Sequence, residues 1–333
     1  MKEARFWRAE NGRTVCSLCP HSCRIAPGKR GICGVRENRE GKLYSMIYGK
    51  ASSVQVDPIE KKPLFHFKPG HKVLSLGSIG CTFRCMHCQN FTISQAKLGE
   101  FGLDDVSPEG VIDACRSAGC TGISWTYNEP TIWHEFSYDT SVLAKKTGLH
   151  TSYVTNGYIQ EPPMRELTEC IDAMNIDVKA FREDFYKRTC KASLGPVLAA
   201  TKIAHDSGVH VELTYLIIPG KNDDAAEIRD FSRWVVEALS PNVPVHFTRF
   251  HPDYLMTETP STPMKTMDMA YGVAKEEGVR FIYVGNVPAD ERENTHCPKC
   301  GSLIVERSWF SILQLKAKDG RCPSCGEDLN LIQ

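Results

Sequence analysis

The stretch KVLSLGSIGCTFRCMHCQN, residues 72–90, decides how the rest of the chain is read. Its first half is short, apolar and closed by glycine, the pattern of a buried β-strand. Its second half sets three cysteines, Cys81, Cys85 and Cys88, within eight positions. Three is an awkward number. A structural zinc ion and a fully ligated cubane iron–sulfur cluster each want four protein ligands. A cubane on three thiolates leaves one iron open to chelate a substrate through an amine nitrogen and a carboxylate oxygen, whereas zinc would need a fourth ligand from elsewhere.

Downstream of this stretch, strand and helix patterns alternate. Strands are expected in CTGISWTYN (120–128), LHTSYVTNG (149–157), DAMNIDVKA (172–180), VHVELTYLIIPG (209–220), VPVHFTRFHP (243–252) and VRFIYVGNV (279–287). Helices are expected between them, the first capped by Ser107 with Pro108 in its opening turn and the second closed by Gly148. A βα repeat of this kind implies a parallel sheet with helices outside, either an open doubly wound sheet or a full or partial barrel. In each case chemistry sits on loops after the carboxyl ends of strands. Neither GxxxxGK[ST] nor GxGxxG follows a strand, so the common phosphate-binding loops are absent.

The composition is that of an ordinary globular chain: 41% of the 333 residues are apolar and 24% charged. Forty basic and forty acidic residues cancel, so net charge gives no reason to expect nucleic acid. The polar start MKEARFWRAENGRT lacks the apolar core of a signal peptide, and no run is long enough to span a bilayer. The expectation is a cytoplasmic protein without a membrane partner. Fifteen cysteines, an odd number, then point to metal ligation rather than to disulfides.

Eleven of the fifteen fall into three groups. Near the end, HCPKCG and RCPSCG present Cys297, Cys300, Cys322 and Cys325 as two knuckles, the pattern of a zinc ribbon, with a rubredoxin-like iron site as the geometric alternative. Near the start, CSLCPHSCRIAPGKRGICGVR presents Cys16, Cys19, Cys23 and Cys33, with His21 able to replace one of them. Four ligands make a closed site there, for zinc or for a second [4Fe–4S] cluster, and spacing does not separate the two. Cys115, Cys120 and Cys170 read as small core residues, and Cys190 as inert or a hydrogen donor or ligand on the active face. The expected organisation is a Cys-rich N-terminal segment and connector over 1–70, a barrel over 71–290, and a zinc-ribbon-like tail over 291–333.

The spacing C-x3-C-x2-C after the first strand of a βα array resembles the radical S-adenosylmethionine (SAM) superfamily, and CMHCQN resembles its pyruvate formate-lyase activating enzymes. The resemblance implies a parallel partial (β/α)6-type TIM barrel. It also implies a [4Fe–4S] cluster on Cys81, Cys85 and Cys88, whose open iron holds the methionine end of SAM for reductive cleavage to a 5′-deoxyadenosyl radical. Site residues carry over position by position. His87 stands where the family has an aromatic near adenine, with Asn90 beyond it. In TYNEP (126–130) Glu129 agrees with the family's turn, while Tyr127 and Asn128 replace its glycines. Thr155 and Asn156 end the third strand, with Val154 in place of a common aspartate. Asp177 and Lys179 match positions that hold ribose or carboxylate groups, and His251 a histidine near SAM. The N-terminal segment, YNEPT and HPDY together resemble a narrower subgroup, the AmmeMemoRadiSam type.

Three functions follow. The first is an activase-like oxidoreductase that abstracts hydrogen from a partner protein's glycine, fed by an electron donor such as flavodoxin or ferredoxin. The second keeps the radical chemistry but acts on a small metabolite, peptide or RNA. The third is a zinc-rich scaffold without catalysis.

Overall fold

The computed structural model describes residues 1–288 and 290–333. Its central sheet starts earlier than the sequence suggests. The proline-punctuated stretch 51–70, expected as a connector, contributes β1 (Ser53–Pro58). This strand pairs antiparallel with β2 (Lys72–Gly77), Ser53 opposite Gly77 and Pro58 opposite Lys72. Beyond β2 run β3 (Gly122–Trp125), β4 (His150–Thr155), β5 (Ala173–Asp177), β6 (His210–Ile217), β7 (Val245–Arg249) and β8 (Ile282–Gly285), each parallel to its neighbour. Strands β2 to β6 are nearly continuous buried runs, as expected where both sheet faces are covered.

The spatial order of the eight strands follows their sequence order without a reversal. A doubly wound sheet would need a switch point, so the molecule is a barrel wall, and it is partial because β1 and β8 do not pair. It has seven parallel strands, one more than a six-fold repeat counts.

The helices between the strands are α1 (Pro108–Ser117), α2 (His134–Lys146), α3 (Glu161–Thr168), α4 (Leu194–Asp206), α5 (Ala225–Trp234) and α6 (Met264–Glu276). Ser107 Oγ accepts the Gly110 amide at 3.0 Å with Pro108 in the first turn, so the expected cap of α1 is present.

Two appendages pack on this wall. The N-terminal one is built of short antiparallel strands, including Arg13–Cys16 between Trp7–Glu10 and Arg24–Ile25. It is fastened by Arg36, whose buried guanidinium pairs with the buried carboxylate of Glu135 at the start of α2 and donates to Arg5 O. The C-terminal appendage is a hairpin, Leu303–Ser308 with Ser311–Leu315, whose core includes Phe65, just past β1, and Tyr283 of β8. It thus joins both unpaired edges of the barrel. Arg307 donates to Phe65 O at 2.9 Å, and the His66 ring bridges Leu329 O and the Tyr283 hydroxyl. No helix among the described residues is long and apolar enough to cross a membrane.

Candidate functional site

At the carboxyl ends of the strands lies a cavity of about 550 Å³. Cys81, Cys85 and Cys88 line it, from the loop between β2 and the helical turn Phe91–Ser94. Donors face their sulfurs: the Phe83 amide lies 3.3 Å from Cys81 Sγ, Asn156 Nδ2 3.7 Å from the same atom, and Ser94 Oγ 3.2 Å from Cys88 Sγ. Burial pushes the Cys81 thiol well above its ordinary range. Cys85 is pushed up too, first by the thiol of Cys190 beside it and then by burial. Cys190 is fully buried, in the segment that follows β5, and its carbonyl accepts the Arg84 amide at 2.9 Å.

The strand ends supply the rest of the wall. Glu129, after β3, is buried with both oxygens engaged: Oε1 accepts from the Thr131 amide and the Thr155 hydroxyl, Oε2 from the Asn156 amide. It therefore braces the end of β4 and aims Asn156, whose Nδ2 reaches Thr82 Oγ1 and Cys81 Sγ. Burial raises the Glu129 carboxyl above its usual range. At the end of β5 Lys179 Nζ lies 2.9 Å from Asp177 Oδ2. Burial would depress this lysine, but the charges of Asp177 and Cys85 carry it upward, so it stays an ammonium. His87 is buried in the cavity wall, and neither ring nitrogen has a hydrogen-bond partner among the described residues. Burial, then the Lys179 charge, takes it down to about 3, so the ring is neutral.

Asn90 and Asn128 also line the cavity, but their side chains support the backbone. Asn90 Nδ2 donates to Tyr127 O, and Asn128 holds Ser78 N and Gly80 O in the segment between β2 and Cys81. Of the residues expected around the site, His251 alone is displaced. Phe250, buried beyond the end of β7, is pinned by its amide to Thr262 Oγ1, and the next side chain, His251, is exposed and outside the lining.

The sequence reading missed Lys61 and Lys62, which reach the cavity from the segment after β1, and Phe310, which reaches it from the turn of the C-terminal hairpin. A lysine pair beside proline reads as a solvated turn; only the antiparallel pairing of β1 with β2, which sets Pro58 opposite Lys72 at the amino end of the parallel strands, places it against the inner end of the cavity.

The terminal cysteine groups differ in geometry. In the tail, Cys297 Sγ lies 3.6 Å from Cys325 Sγ and Cys300 Sγ 3.7 Å from Cys322 Sγ. A tetrahedral ion with bonds near 2.3 Å sets its sulfurs about 3.8 Å apart, so the four thiols fit one metal ion. Among the described residues this is the one set of at least three such ligand atoms drawn within 4.8 Å of each other. The N-terminal four thiols are more widely spread, as are Cys81, Cys85 and Cys88. Yet they lie close to the central loop: His21 Nε2 meets Thr82 O at 2.7 Å, so this ring braces the loop, and Arg84 donates to both Cys81 O and Ile32 O.

Comparison with known proteins gives the same picture. The family "Radical SAM superfamily" matches residues 76–232, the part that carries the three-cysteine loop and the ends of β2 to β6. "Uncharacterized protein MJ0808" of Methanocaldococcus jannaschii is 46% identical over the full length of both chains. Pyruvate formate-lyase 1-activating enzyme of Escherichia coli is 25% identical over 61% of this chain and 89% of its own. Among solved structures, a radical SAM methyltransferase from Sphaerobacter thermophilus superposes with a TM-score of 0.50 at 14% identity, over 66% of this chain and 68% of the other. The family match over the three-cysteine loop, the likeness to the Escherichia coli activating enzyme and a three-thiol loop at the mouth of a partial barrel agree: the chain belongs to the radical SAM superfamily, as an enzyme resembling the pyruvate formate-lyase activating enzymes.

Proposed function

We propose that the cavity binds SAM against a [4Fe–4S] cluster held by Cys81, Cys85 and Cys88, and that the chain cleaves it reductively to start a hydrogen abstraction. The observation that carries this reading is the convergence, in one cavity, of three thiols from one loop with Asp177, Lys179 and Asn156 on adjoining strand ends. The residues fit the group: buried thiols faced by amide and hydroxyl donors suit thiolate ligands. When bound, the cluster supplies one electron to the sulfonium, breaking a carbon–sulfur bond to give methionine and a 5′-deoxyadenosyl radical. The chain's own part is to bind and orient. The Lys179–Asp177 pair meets the polar groups of SAM, Asn156 fixes the loop, and neutral His87 packs by the base. Burial of the cavity floor keeps water from the radical.

The tail quartet is proposed to hold zinc. The N-terminal quartet is proposed to hold a second [4Fe–4S] cluster, since its thiols are not drawn within 4.8 Å of one another as those of the tail are. It lies against the central loop, where it could pass electrons inward from a one-electron carrier such as flavodoxin or ferredoxin. Activation of a partner protein's glycine rests on likeness to the Escherichia coli enzyme. Action on a small molecule is the second reading, with Phe310 of the hairpin turn adding an apolar face to the cavity lining.

Anaerobic reconstitution with iron and sulfide tests the proposal. A brown protein that releases 5′-deoxyadenosine from SAM in the presence of dithionite is expected. A colourless protein carrying only zinc removes it.

A further inference from the structure

The cavity has a polar feature that SAM does not account for. Tyr127, where the superfamily resemblance leads one to expect glycine, adopts φ 73°, a left-handed conformation costly for a side chain of this size. In this pose its hydroxyl donates to Asp57 Oδ2 of β1 at 2.6 Å. The same carboxylate takes Lys62 Nζ at 2.7 Å, and its other oxygen takes Lys61 Nζ at 2.8 Å. The Lys62 ammonium also stands 4.8 Å from the centre of the Tyr127 ring. Two cations thus share one anion, and both lysines line the cavity while Asp57 stands behind them.

Lys62 has an unmet demand. An ammonium has three donors. Its side chain is 2% exposed, and among the described residues its one hydrogen-bond acceptor is Asp57. The Tyr127 face can satisfy a second donor weakly. A buried charge short of acceptors is expensive, and the remaining direction open to it is the cavity.

We propose that Lys62, aided by Lys61 and held by Asp57 and Tyr127, is an oxyanion subsite that recognises a carboxylate or phosphate group of the substrate, separate from the groups that hold SAM. The inference rests on the cavity being a SAM-dependent active site, and it adds the chemical class of what reacts there. Burial, with the Lys61 charge, lowers Lys62 to about 8, while its pair with Asp57 opposes the fall, so an arriving anion stabilises a charge that the site otherwise holds at a cost. Asp57 would be raised by burial, but hydrogen bonds from Lys61, Lys62 and Tyr127 hold it well below the carboxylate range. The cluster is therefore preset, with a fixed anion behind and cationic donors in front.

The test is anion binding to the reconstituted holoenzyme, saturated with SAM, by titration calorimetry at pH 7 with inorganic phosphate and, separately, malonate as probes. Binding of at least one probe is expected, weakened at least tenfold in Lys62→Met. The probe that binds better identifies the oxyanion class. Lys61→Met leaves the Lys62–Asp57 pair intact and is expected to weaken binding at least threefold, which covers the case in which Lys62→Met fails to fold. SAM affinity is expected to stay within twofold in both variants. Failure of both probes to bind the wild type, or equal binding by the variants, overturns the proposal. So does a parallel loss of SAM affinity, because the lysines would then belong to the SAM site. Failure of the wild type to cleave SAM overturns the functional reading instead and leaves the anion measurement readable.

Discussion

Gly80 and Cys33 touch: a Cβ placed on Gly80 would stand 2.5 Å from the Cys33 carbonyl oxygen, and Gly80 itself is at φ 88°. The last residue before the three-cysteine loop is thus the floor on which the N-terminal cysteine segment rests. Gly80→Ala should cost about 1–2 kcal/mol for the left-handed backbone alone, with more from displacing a carbonyl that cannot give as a side chain would. Both metal sites should suffer together. The expected result is a lower unfolding midpoint and fewer irons per chain at the N-terminal and central cysteines, with tail zinc retained. Unchanged iron content in Gly80→Ala would separate the two sites.

The central and C-terminal cysteine groups should fail independently. Cys85→Ala is expected to abolish SAM cleavage and the central cluster's electron paramagnetic resonance signal while one zinc stays bound. Cys300→Ser should release zinc and loosen the hairpin whose turn lines the cavity, leaving the cluster signal in place. Metal analysis of both variants checks this. Residual turnover by Cys85→Ala would end the cluster assignment.

Lys179 is expected to act through affinity. Its ammonium follows the end of β5 and is held 2.9 Å from Asp177 in the cavity wall. Loss of one charge-assisted hydrogen bond to SAM, about 1.5–3 kcal/mol, predicts a SAM Kd some 10–100-fold weaker in Lys179→Ala. Equilibrium binding to the reconstituted protein reads it directly. Unchanged affinity removes Lys179 from the SAM site.

The sequence showed most of the barrel because its signals are local. Buried parallel strands are apolar runs, and Ser107 caps α1 by hydrogen-bonding three residues along. The three-cysteine loop was equally legible, since its ligands lie within eight positions. What escaped depends on long-range pairing. The segment carrying Asp57, Lys61 and Lys62 looks like a polar connector until β1 folds back on β2. Tyr127 looks like a departure from the family's glycines until its hydroxyl is seen on Asp57, 70 residues away. His251 lies outside the cavity lining for a related reason: beyond the end of β7 Phe250 is buried and the next residue is exposed, which a motif by itself does not reveal.

Arg36 and Glu135 make a second long-range link, buried at 1% and 0% side-chain exposure. Arg36 also lies 3.7 Å from Cys16 Sγ, so it ties α2 to the N-terminal cysteine group. Breaking a buried pair from one side leaves an unpaired charge and costs about 3–5 kcal/mol. Arg36→Met should therefore destabilise the chain strongly by thermal unfolding. Arg36→Met with Glu135→Gln should recover much of that loss. If the single variant loses less than about 1 kcal/mol, the pair is not what fastens the N-terminal segment.

The oxyanion subsite predicts a pH dependence with a definite sign. Lys62 faces Asp57, Lys61 and Tyr127. Asp57 is held ionised through the neutral range, and Tyr127 is raised, by burial and then by its bond to Asp57, so neither changes charge near pH 8. Lys62, lowered to about 8, is the group that does. Below pH 8 it is an ammonium and binds an anion; above, it loses the proton and the attraction. Affinity for malonate, a dianion across this whole range, should thus fall as pH rises from 7 to 9.5. A bound anion favours the charged form and moves the midpoint of the loss above 8 in the complex. Lys62→Arg, which keeps its charge, should flatten the profile. A wild-type affinity that is level across this range would mean that the lysine meeting the anion is not the buried one.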